Sequence, residues 1–357
     1  MGKIAASSKY GLSPTLIRAI PSQYPTPLSF RYKCCAWALA CICTSSFYIG
    51  PFLLSLPFLL YWFHSKAAGV LLCTNIFLSF HPIAPWIQFR RYFQLLYEMF
   101  NLHHNVTTRF IEKSREDNHL SIVAMHPHAI IPVHAFLWGA FCDQLLPHLY
   151  GMGCTTDGAL RLPLLRHILQ WLDVGSAHKN ALLNAMQRQD KNIFILPGGV
   201  AEIFLSHRRS EISSTKEHIQ TIKAKRYGLM KLAIETGAII YPCFVFGASD
   251  LLDQLTPAKK GRVSKHCDDE HPHTVFDYVG DLMEYISRKI QGGVTLYYEG
   301  NEFEKNVHGE KRTCKRVENP TPEQVQQMMD KYTTALHNLF EQYKVEAGYP
   351  NDKLQII

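Results

Sequence analysis

The stretch that decides the fold is Leu120–Pro132, which reads LSIVAMHPHAIIP. It begins with a short apolar run that contains β-branched residues, a pattern that predicts a buried β-strand, and Pro127 ends this strand by removing a backbone donor. His126 and His128 are therefore expected at the carboxyl end of a strand, where α/β proteins gather side chains around a ligand. Imidazole suits proton transfer because its ordinary pKa lies near neutrality. A turn with two polar side chains is the alternative.

Apolar runs alternate with amphipathic segments from His119 to Glu299, which predicts an α/β domain. The predicted strands are Ser121–Met125, Ile193–Leu196, Ile239–Phe246 and Gly293–Tyr298, and the predicted helices are Pro132–Leu146, Pro163–Leu172, Lys179–Gln189 and Arg226–Thr236. Thr321 and Gln324 form a capping-box pattern around Pro322, so a long amphipathic helix is expected at the carboxyl end. Its Tyr and Met stripe is expected to face the core.

The segment Cys34–Phe63 has no charged side chain and is longer than the roughly 20 residues that cross a bilayer core. Gly50, Pro51 and Pro57 interrupt it, which predicts two helical legs joined near Gly50–Pro51 as a hairpin that dips into or just crosses the membrane. A buried hairpin of a soluble core is the alternative. Ala67–Phe89 is expected to lie in the headgroup zone.

Positive residues flank the apolar hairpin at both ends, which favours a cytosolic location for both. They are Arg31 and Lys33 before it and Lys66 after it. The glycosylation sequon at Asn105 is then expected to remain unmodified. The predicted organisation is a cytosolic tail over 1–33, a membrane-embedded hairpin and interfacial segment over 34–91, and a catalytic domain with its C-terminal helix over 92–357.

Composition excludes some classes of function. The 357 residues carry a formal net charge of +7, but no dense basic block with interleaved aromatics indicates nucleic-acid binding. The ten cysteines contain no paired Cys-x-x-Cys motifs, so buried reduced thiols are expected. His266, Cys267, His271 and His273 in Gly261–Thr274 match no closed tetrahedral pattern, and a solvated insertion is expected there without a metal.

Three further stretches of the sequence carry recognisable motifs in addition to the His-Pro-His motif. Ile193–Glu202 reads IFILPGGVAE, Arg226–Gly247 contains RYGL, ETGA and YPCFVFG, and Asn319–Gly348 contains PTPEQV and LFEQYK. In this order and spacing they resemble the type-2 diacylglycerol acyltransferase family, which includes monoacylglycerol and wax-alcohol acyltransferases. The resemblance covers the chain from about Cys34 onward.

The resemblance implies a glycerolipid-acyltransferase-like mixed sheet flanked by helices, with an N-terminal membrane hairpin. It implies acylation of diacylglycerol by acyl-coenzyme A to form triacylglycerol, without a cofactor, at the endoplasmic reticulum membrane and on lipid droplets. Acyl-coenzyme A, the lipid acceptor and the bilayer are the expected partners, and a homo-oligomer stays open.

The resemblance assigns the base role to the motif that matches His126, Pro127 and His128, and His126 is expected to be the general base. Glu202 follows a strand and is expected to hold the other ring nitrogen of His126. Ala129 replaces the family's glycine, and smallness rather than a positive φ is expected to be the requirement there. The expected substrate contacts are Pro127, Arg161, Gly198, Gly199, Arg226 and Gly228, with Arg226 on the phosphates of coenzyme A.

Other functions remain open at this stage. The close variants are acylation of a monoacylglycerol or of a long-chain alcohol. A membrane-bound metallohydrolase would use His126 and His128 as zinc ligands. A non-catalytic lipid-droplet protein would use only its hairpin.

Overall fold

The computed structural model describes residues 15–17, 27–63, 66–99, 107–110, 120–145, 147–205, 219–249, 252–254, 297–299, 305–308 and 316–357. The predicted insertion at Gly261–Thr274, the sequon at Asn105 and most of the predicted strand Gly293–Tyr298 lie outside these residues.

The described helices are α1 (Phe30–Trp62), α2 (Ala67–Phe80), α3 (Ile87–Met99), α4 (Val133–Leu145), α5 (Leu165–Trp171), α6 (Lys179–Leu183), α7 (Val200–Ile203), α8 (Tyr227–Thr236) and α9 (Pro322–Ala347). The strands are β1 (Thr15–Ile17), β2 (Thr107–Phe110), β3 (Ser121–His126), β4 (Gly151–Thr155), β5 (Val174–Ser176), β6 (Asn192–Ile195), β7 (Ile219–Ile222), β8 (Ile239–Phe246), β9 (Leu252–Gln254), β10 (Tyr297–Glu299), β11 (Lys305–His308) and β12 (Lys353–Ile356). Short 3-10 turns occupy Pro147–Leu149 and Ala159–Arg161, and a π-helical turn, Asn184–Arg188, continues α6.

An eight-stranded sheet has the order β1-β2-β11-β8-β3-β6-β4-β5. Strands β8, β3, β6, β4 and β5 are parallel to one another, and β11 joins β8 in the antiparallel sense. Because parallel strands end at the same edge, the carboxyl ends of β3, β4, β5 and β6 lie side by side. The predicted mixed sheet flanked by helices is confirmed.

Alternate residues of β3 face two separate hydrophobic clusters, as the two-residue period of a strand requires. Ile122 and Ala124 pack in the cluster that contains α8 and α9, whereas Val123 and Met125 pack in the cluster that contains Cys142 of α4. Sheet and helices therefore form layers, and both faces of β3 are fully buried.

The capping box of α9 is confirmed. Thr321 Oγ1 accepts a hydrogen bond from the backbone N–H of Gln324, and the side-chain oxygen of Gln324 accepts one from the backbone N–H of Thr321. The predicted apolar stripe is buried, including Tyr332, Leu336 and Phe340.

The predicted break at Gly50–Pro51 is wrong. Helix α1 runs through Pro51 and Pro57 and ends at Trp62, and α2, which begins at Ala67, packs against α1. Pro57 has no N–H for the Leu53 carbonyl four residues earlier, but the Asn75 amide of α2 donates to that carbonyl. A side chain from the neighbouring helix thus satisfies the group that proline frees.

Helix α1 is the one described helix that is long and apolar enough to cross a membrane. It begins at Phe30, four residues before the predicted segment. Its flank opposite the domain exposes large apolar side chains, among them Trp37, Phe52, Phe58 and Trp62.

Candidate active site

His126 is the last residue of β3 and is completely buried on the face that α9 covers. Its Nε2 lies 2.8 Å from the Tyr332 hydroxyl, and its Nδ1 lies 3.5 Å from Glu202 Oε1. A proton on Nδ1 suits the adjacent carboxylate, so Nε2 accepts from the Tyr332 hydroxyl. Both nitrogens of His126 therefore face protein groups rather than open space.

Glu202 lies in α7 and is also completely buried. Its Oε2 accepts from the backbone N–H of His128 at 2.6 Å, and its Oε1 accepts from that of Lys223 at 2.6 Å. Burial alone would raise the pKa of Glu202, but the contact with His126 and the two backbone donors outweigh it and lower the pKa below its ordinary value. Glu202 is therefore an ionised group that joins three segments.

The glycines before α7 are both required, for different reasons. A Cβ on Gly198 would overlap the Glu202 carboxylate, so only glycine leaves room for it. Gly199 has a φ of 55°, a left-handed conformation that costs glycine nothing. These two residues allow Glu202 to turn back under the Pro197–Gly199 loop.

His128 has a different environment from His126. It is only partly buried and lines a cavity of about 870 Å³. Its Nδ1 lies 2.8 Å from the Ala129 carbonyl, so Nδ1 carries the proton and Nε2 keeps a lone pair. Burial lowers the pKa of His128 below the ordinary 6.5, and the Ala129 carbonyl and the Glu202 charge only partly oppose this shift. His128 is thus a neutral imidazole at the wall of a cavity.

Ala129 adopts a φ of 58°. The expectation that this position needs only a small residue is therefore wrong, because the turn requires a left-handed conformation as well. Alanine in that conformation costs on the order of 1 kcal/mol. The buried methyl group packs in the same cluster as Val123 and Met125.

The cavity runs along the carboxyl edge of the parallel strands. Its walls include the Pro197–Gly199 loop, the α4 side chains Phe136 and Trp138, Thr155 at the end of β4, and Asp157 after it. Exposed His178 after β5 also borders it. Its volume falls within the roughly 300–1,000 Å³ of small-molecule sites, and most of its walls are apolar.

The other predicted contacts divide into two groups. Gly198, Gly199 and Arg226 line the cavity, whereas Pro127, Arg161 and Gly228 do not. Pro127 is buried, while Arg161 and Gly228 are exposed.

Arg226 forms hydrogen bonds with the Pro197–Gly199 loop. Its Nε donates to the Pro197 carbonyl at 2.7 Å, and a terminal nitrogen donates to the Gly198 carbonyl at 2.8 Å. Burial lowers the pKa of Arg226, and Glu202 opposes this shift. Arg226 therefore holds the Pro197–Gly199 loop in place, a role that the phosphate expectation did not include.

Two residues near the site were missed in the sequence. Tyr332 was recognised only as part of the apolar stripe of α9, and no local signal ties it to a histidine 206 positions earlier. His134 on α4 is buried, and burial, with His128 nearby, lowers its pKa to about 3. Its position in the first turn of the helix after the motif was the only available signal.

The proposed zinc site at His126 and His128 gains no support from the geometry. The His126 ring contacts Tyr332 and Glu202. The His128 ring contacts the Ala129 carbonyl and lines the cavity. Within the part of the chain that the structure describes, no group of three potential metal-ligating side chains is assembled.

Comparisons with known proteins point to one family. A family model described as diacylglycerol acyltransferase matches residues 84–357. The chain is 27% identical over 237 residues to diacylglycerol O-acyltransferase 2-like protein 6 of Mus musculus, which covers 64% of this chain and 68% of that protein. It is 24% identical over 241 residues to diacylglycerol O-acyltransferase 1 of Schizosaccharomyces pombe, covering 62% and 63%.

Acyl-CoA wax alcohol acyltransferase 1 of Mus musculus is 24% identical over 254 residues, covering 64% of this chain and 68% of that protein. These matches span about two thirds of each relative's length. Among solved structures, the 1-acyl-sn-glycerophosphate acyltransferase of Thermotoga maritima aligns with a TM-score of 0.38 at 14% identity, covering 87% of this chain and 95% of that chain.

Proposed function

This chain belongs to the diacylglycerol acyltransferase family, and from that membership we propose that it transfers an acyl group from acyl-coenzyme A to the free hydroxyl of diacylglycerol. The product is triacylglycerol. The observation that carries the proposal is the neutral imidazole of His128 at the wall of a largely apolar cavity. Such a cavity suits a lipid, and such an imidazole suits a hydroxyl proton.

His128 is the general base in this mechanism. Its Nε2 removes the proton from the acceptor hydroxyl as the oxygen attacks the thioester carbonyl. The tetrahedral intermediate then collapses, the carbon–sulfur bond breaks, and the imidazolium returns the proton to the leaving coenzyme A thiolate. Proton transfer by a positioned side chain of this kind contributes about 10²–10⁴-fold to a rate.

His126 is assigned a positioning role instead of the base role expected from the sequence. Its Nε2 is hydrogen-bonded to the Tyr332 hydroxyl, its Nδ1 faces Glu202 Oε1 at 3.5 Å, and it does not line the cavity. Glu202 links His126 to His128, because the same carboxylate accepts a hydrogen bond from the backbone N–H of His128. His126 and Glu202 thereby fix the turn that presents His128.

The loop after β6 supplies the environment of the thioester oxygen. Val200 and Ala201 begin α7 and line the cavity, and the first N–H groups of a helix have no partner within it. These groups are the candidate donors for the oxyanion. Arg226 contributes by holding the loop, and exposed Arg161 is the candidate contact for a phosphate of coenzyme A.

The bilayer is the proposed location. In place of the two legs predicted within Cys34–Phe63, α1 and α2 are proposed to form the membrane hairpin. The flanking positive residues favour a cytosolic location for both ends of the chain. The endoplasmic reticulum and lipid droplets are the membranes expected for this reaction.

An acceptor panel tests the proposal. Microsomes that contain the full chain are supplied with labelled oleoyl-coenzyme A and, in parallel, with diacylglycerol, monoacylglycerol or a long-chain alcohol. His128→Ala microsomes with equal protein content provide the baseline. The highest rate above baseline is expected with diacylglycerol, whereas a higher rate with either other acceptor would move the protein to a close variant of the reaction. No transfer to any acceptor would overturn the proposal.

A further inference from the structure

Among the described residues, helix α1 buries one face. Its buried residues recur at spacings of three, four or seven positions, which correspond to one or two helical turns, and include Ala36, Leu39, Ser46 and Gly50. A helix that is apolar all round but packed on one side leaves the remaining sides to another apolar medium, which for α1 is the bilayer.

Helix α1 also reaches the active-site cavity, through residues beside its buried face. Phe47, Tyr48 and Pro51 line it together with His128. Phe47 also packs against a cluster formed by Ile130 and Ile131 after the His-Pro-His motif and by Ile203 and Phe204 around α7. A membrane helix therefore forms part of the wall of the proposed catalytic site.

Three contacts hold this wall in place. Gly50 meets Leu162 and Pro163 so closely that an added Cβ would lie 3.0 Å from the Pro163 carbonyl oxygen. Buried Arg166 of α5 donates to the carbonyls of Leu78 and His81 at the end of α2. The Asn75 bond to Leu53 then joins α2 to α1.

The cavity lies at the base of the hairpin. From Phe47 to Trp62 the helix extends about 24 Å, and the fourteen residues of α2 return about 21 Å at the usual rise per residue. Both lengths are shorter than the roughly 30 Å of a bilayer core, so the hairpin enters the hydrocarbon from the domain side without crossing it. The cavity wall formed by Phe47 is thus next to the point where the hairpin enters the leaflet.

We infer that a hydrocarbon chain of a lipid substrate lies between α1 and α4, reaches His128 from the leaflet past Phe47, and is limited in length by these two helices. The inference deepens the proposed acyl transfer and rests on it. The chain can belong to the acyl donor or to the acceptor, since both carry the same chemistry.

Gly139 of α4 offers a way to fill this space. It lines the cavity, and a Cβ added there would meet no atom within 4 Å. Gly139→Leu should therefore shorten the space, and its Cβ meets no neighbouring atom. Gly69→Leu is the matched control, because Gly69 is an exposed helical glycine of α2 with equally open surroundings that does not line the cavity.

Phe47→Ala should have the opposite effect, because it enlarges the same space. Phe52→Ala is its control on the same helix, since Phe52 is 58% exposed and does not line the cavity. Thermal unfolding of each purified variant in detergent verifies that it is folded.

The measurement is the ratio of rates for long and short chains. One arm compares oleoyl- with octanoyl-coenzyme A at a fixed acceptor, and the other compares dioleoylglycerol with dioctanoylglycerol at a fixed donor. Gly139→Leu is expected to lower the long-to-short ratio about tenfold in one arm, as the loss of room for roughly two methylene groups would. Phe47→Ala is expected to raise the ratio in the same arm, and the controls should leave both ratios unchanged.

The arm that responds identifies which substrate supplies the chain. Active variants with unchanged ratios in both arms would overturn the inference and leave the proposed function standing. A wild type that acylates no acceptor would overturn the proposed function and this inference with it.

Discussion

His126 and His128, the two histidines of one motif at the end of β3, have different surroundings. On the face that α9 covers, His126 is fully buried between Tyr332 and Glu202. On the other side of the turn, His128 borders a cavity, and its Nδ1 contacts its neighbour's carbonyl. Two identical side chains separated by one proline therefore have different environments: one is enclosed by protein groups and the other borders a cavity.

Glu202 connects the two sides. It lies against the ring of His126 and accepts a hydrogen bond from the backbone N–H of His128. The buried side of the turn, which contains His126, Glu202 and Tyr332 and is called the sealed side below, therefore fixes the backbone on the cavity side, which contains His128 and is called the open side. The sealed side should respond to mutation mainly through stability, and the open side mainly through the rate.

The largest effect is expected on the open side. His128→Gln should lower the acyl-transfer rate by about 10²–10⁴-fold, because the base is lost, while the melting temperature stays near that of the wild type. His126→Gln should lower the rate by about tenfold or less, the scale of one hydrogen bond. A folded His126→Gln protein with the greater loss would reverse the assignment.

The connection between the faces is tested by Gly198→Ala. The new methyl group would displace the Glu202 carboxylate from two backbone donors, so we expect a loss of stability on the order of 3 kcal/mol and a fall in rate of about tenfold or more. Chemical unfolding and the labelled-substrate assay measure the two effects.

Gly228→Ala is the matched control for that change. Gly228 lies in α8, and a Cβ there would meet no atom within 4 Å. Stability should stay level or increase by about 0.5–1 kcal/mol, because alanine favours a helix. Equal behaviour of the two alanine variants would show that Glu202 does not depend on Gly198.

The sealed face is tested by Tyr332→Phe. This change removes the hydroxyl that donates to His126 and leaves the ring packing intact. Stability should fall by about 1 kcal/mol, and the rate should change by less than about tenfold. A loss of rate as large as that of His128→Gln would place Tyr332 in the chemistry itself.

The sequence predicted the central strands well because they are buried on both sides. Ile239–Phe246 was predicted with its observed bounds, and Ser121–Met125 lacks only His126 of β3. Strands β4 and β5 were missed, since Gly151–Thr155 and Val174–Ser176 are short and partly glycine. Helix α1 was divided wrongly, because it continues through Pro51, and at Pro57 the freed Leu53 carbonyl is satisfied by Asn75, a residue of the next helix.

The site was predicted in part. The motifs located His128, Gly198, Gly199 and Glu202, because each belongs to a local pattern at the end of a strand. Which histidine faces the cavity could not be predicted, since that depends on the contact of His126 with Tyr332 of α9, 206 positions along the chain. The backbone of Ala129 also could not be inferred, because alanine seldom adopts a positive φ.

The smallest effect concerns the turn between the two faces. Ala129→Gly should raise stability by at most about 1 kcal/mol, because the left-handed strain is relieved while the unfolded chain gains freedom. Ala181→Gly in α6 should lower stability by a similar amount, since glycine is unfavourable in a helix. Equal losses in the two variants would contradict the left-handed turn.

The pH dependence of kcat/KM in the wild type and in His126→Gln tests the central claim most directly. A general base must be unprotonated, so the rate should fall as the pH decreases through the pKa of His128, which burial places below 6.5. We predict that this acid limb persists with the same midpoint in His126→Gln. An acid limb that disappears in a folded His126→Gln protein would show that His126 is the base and would contradict the account.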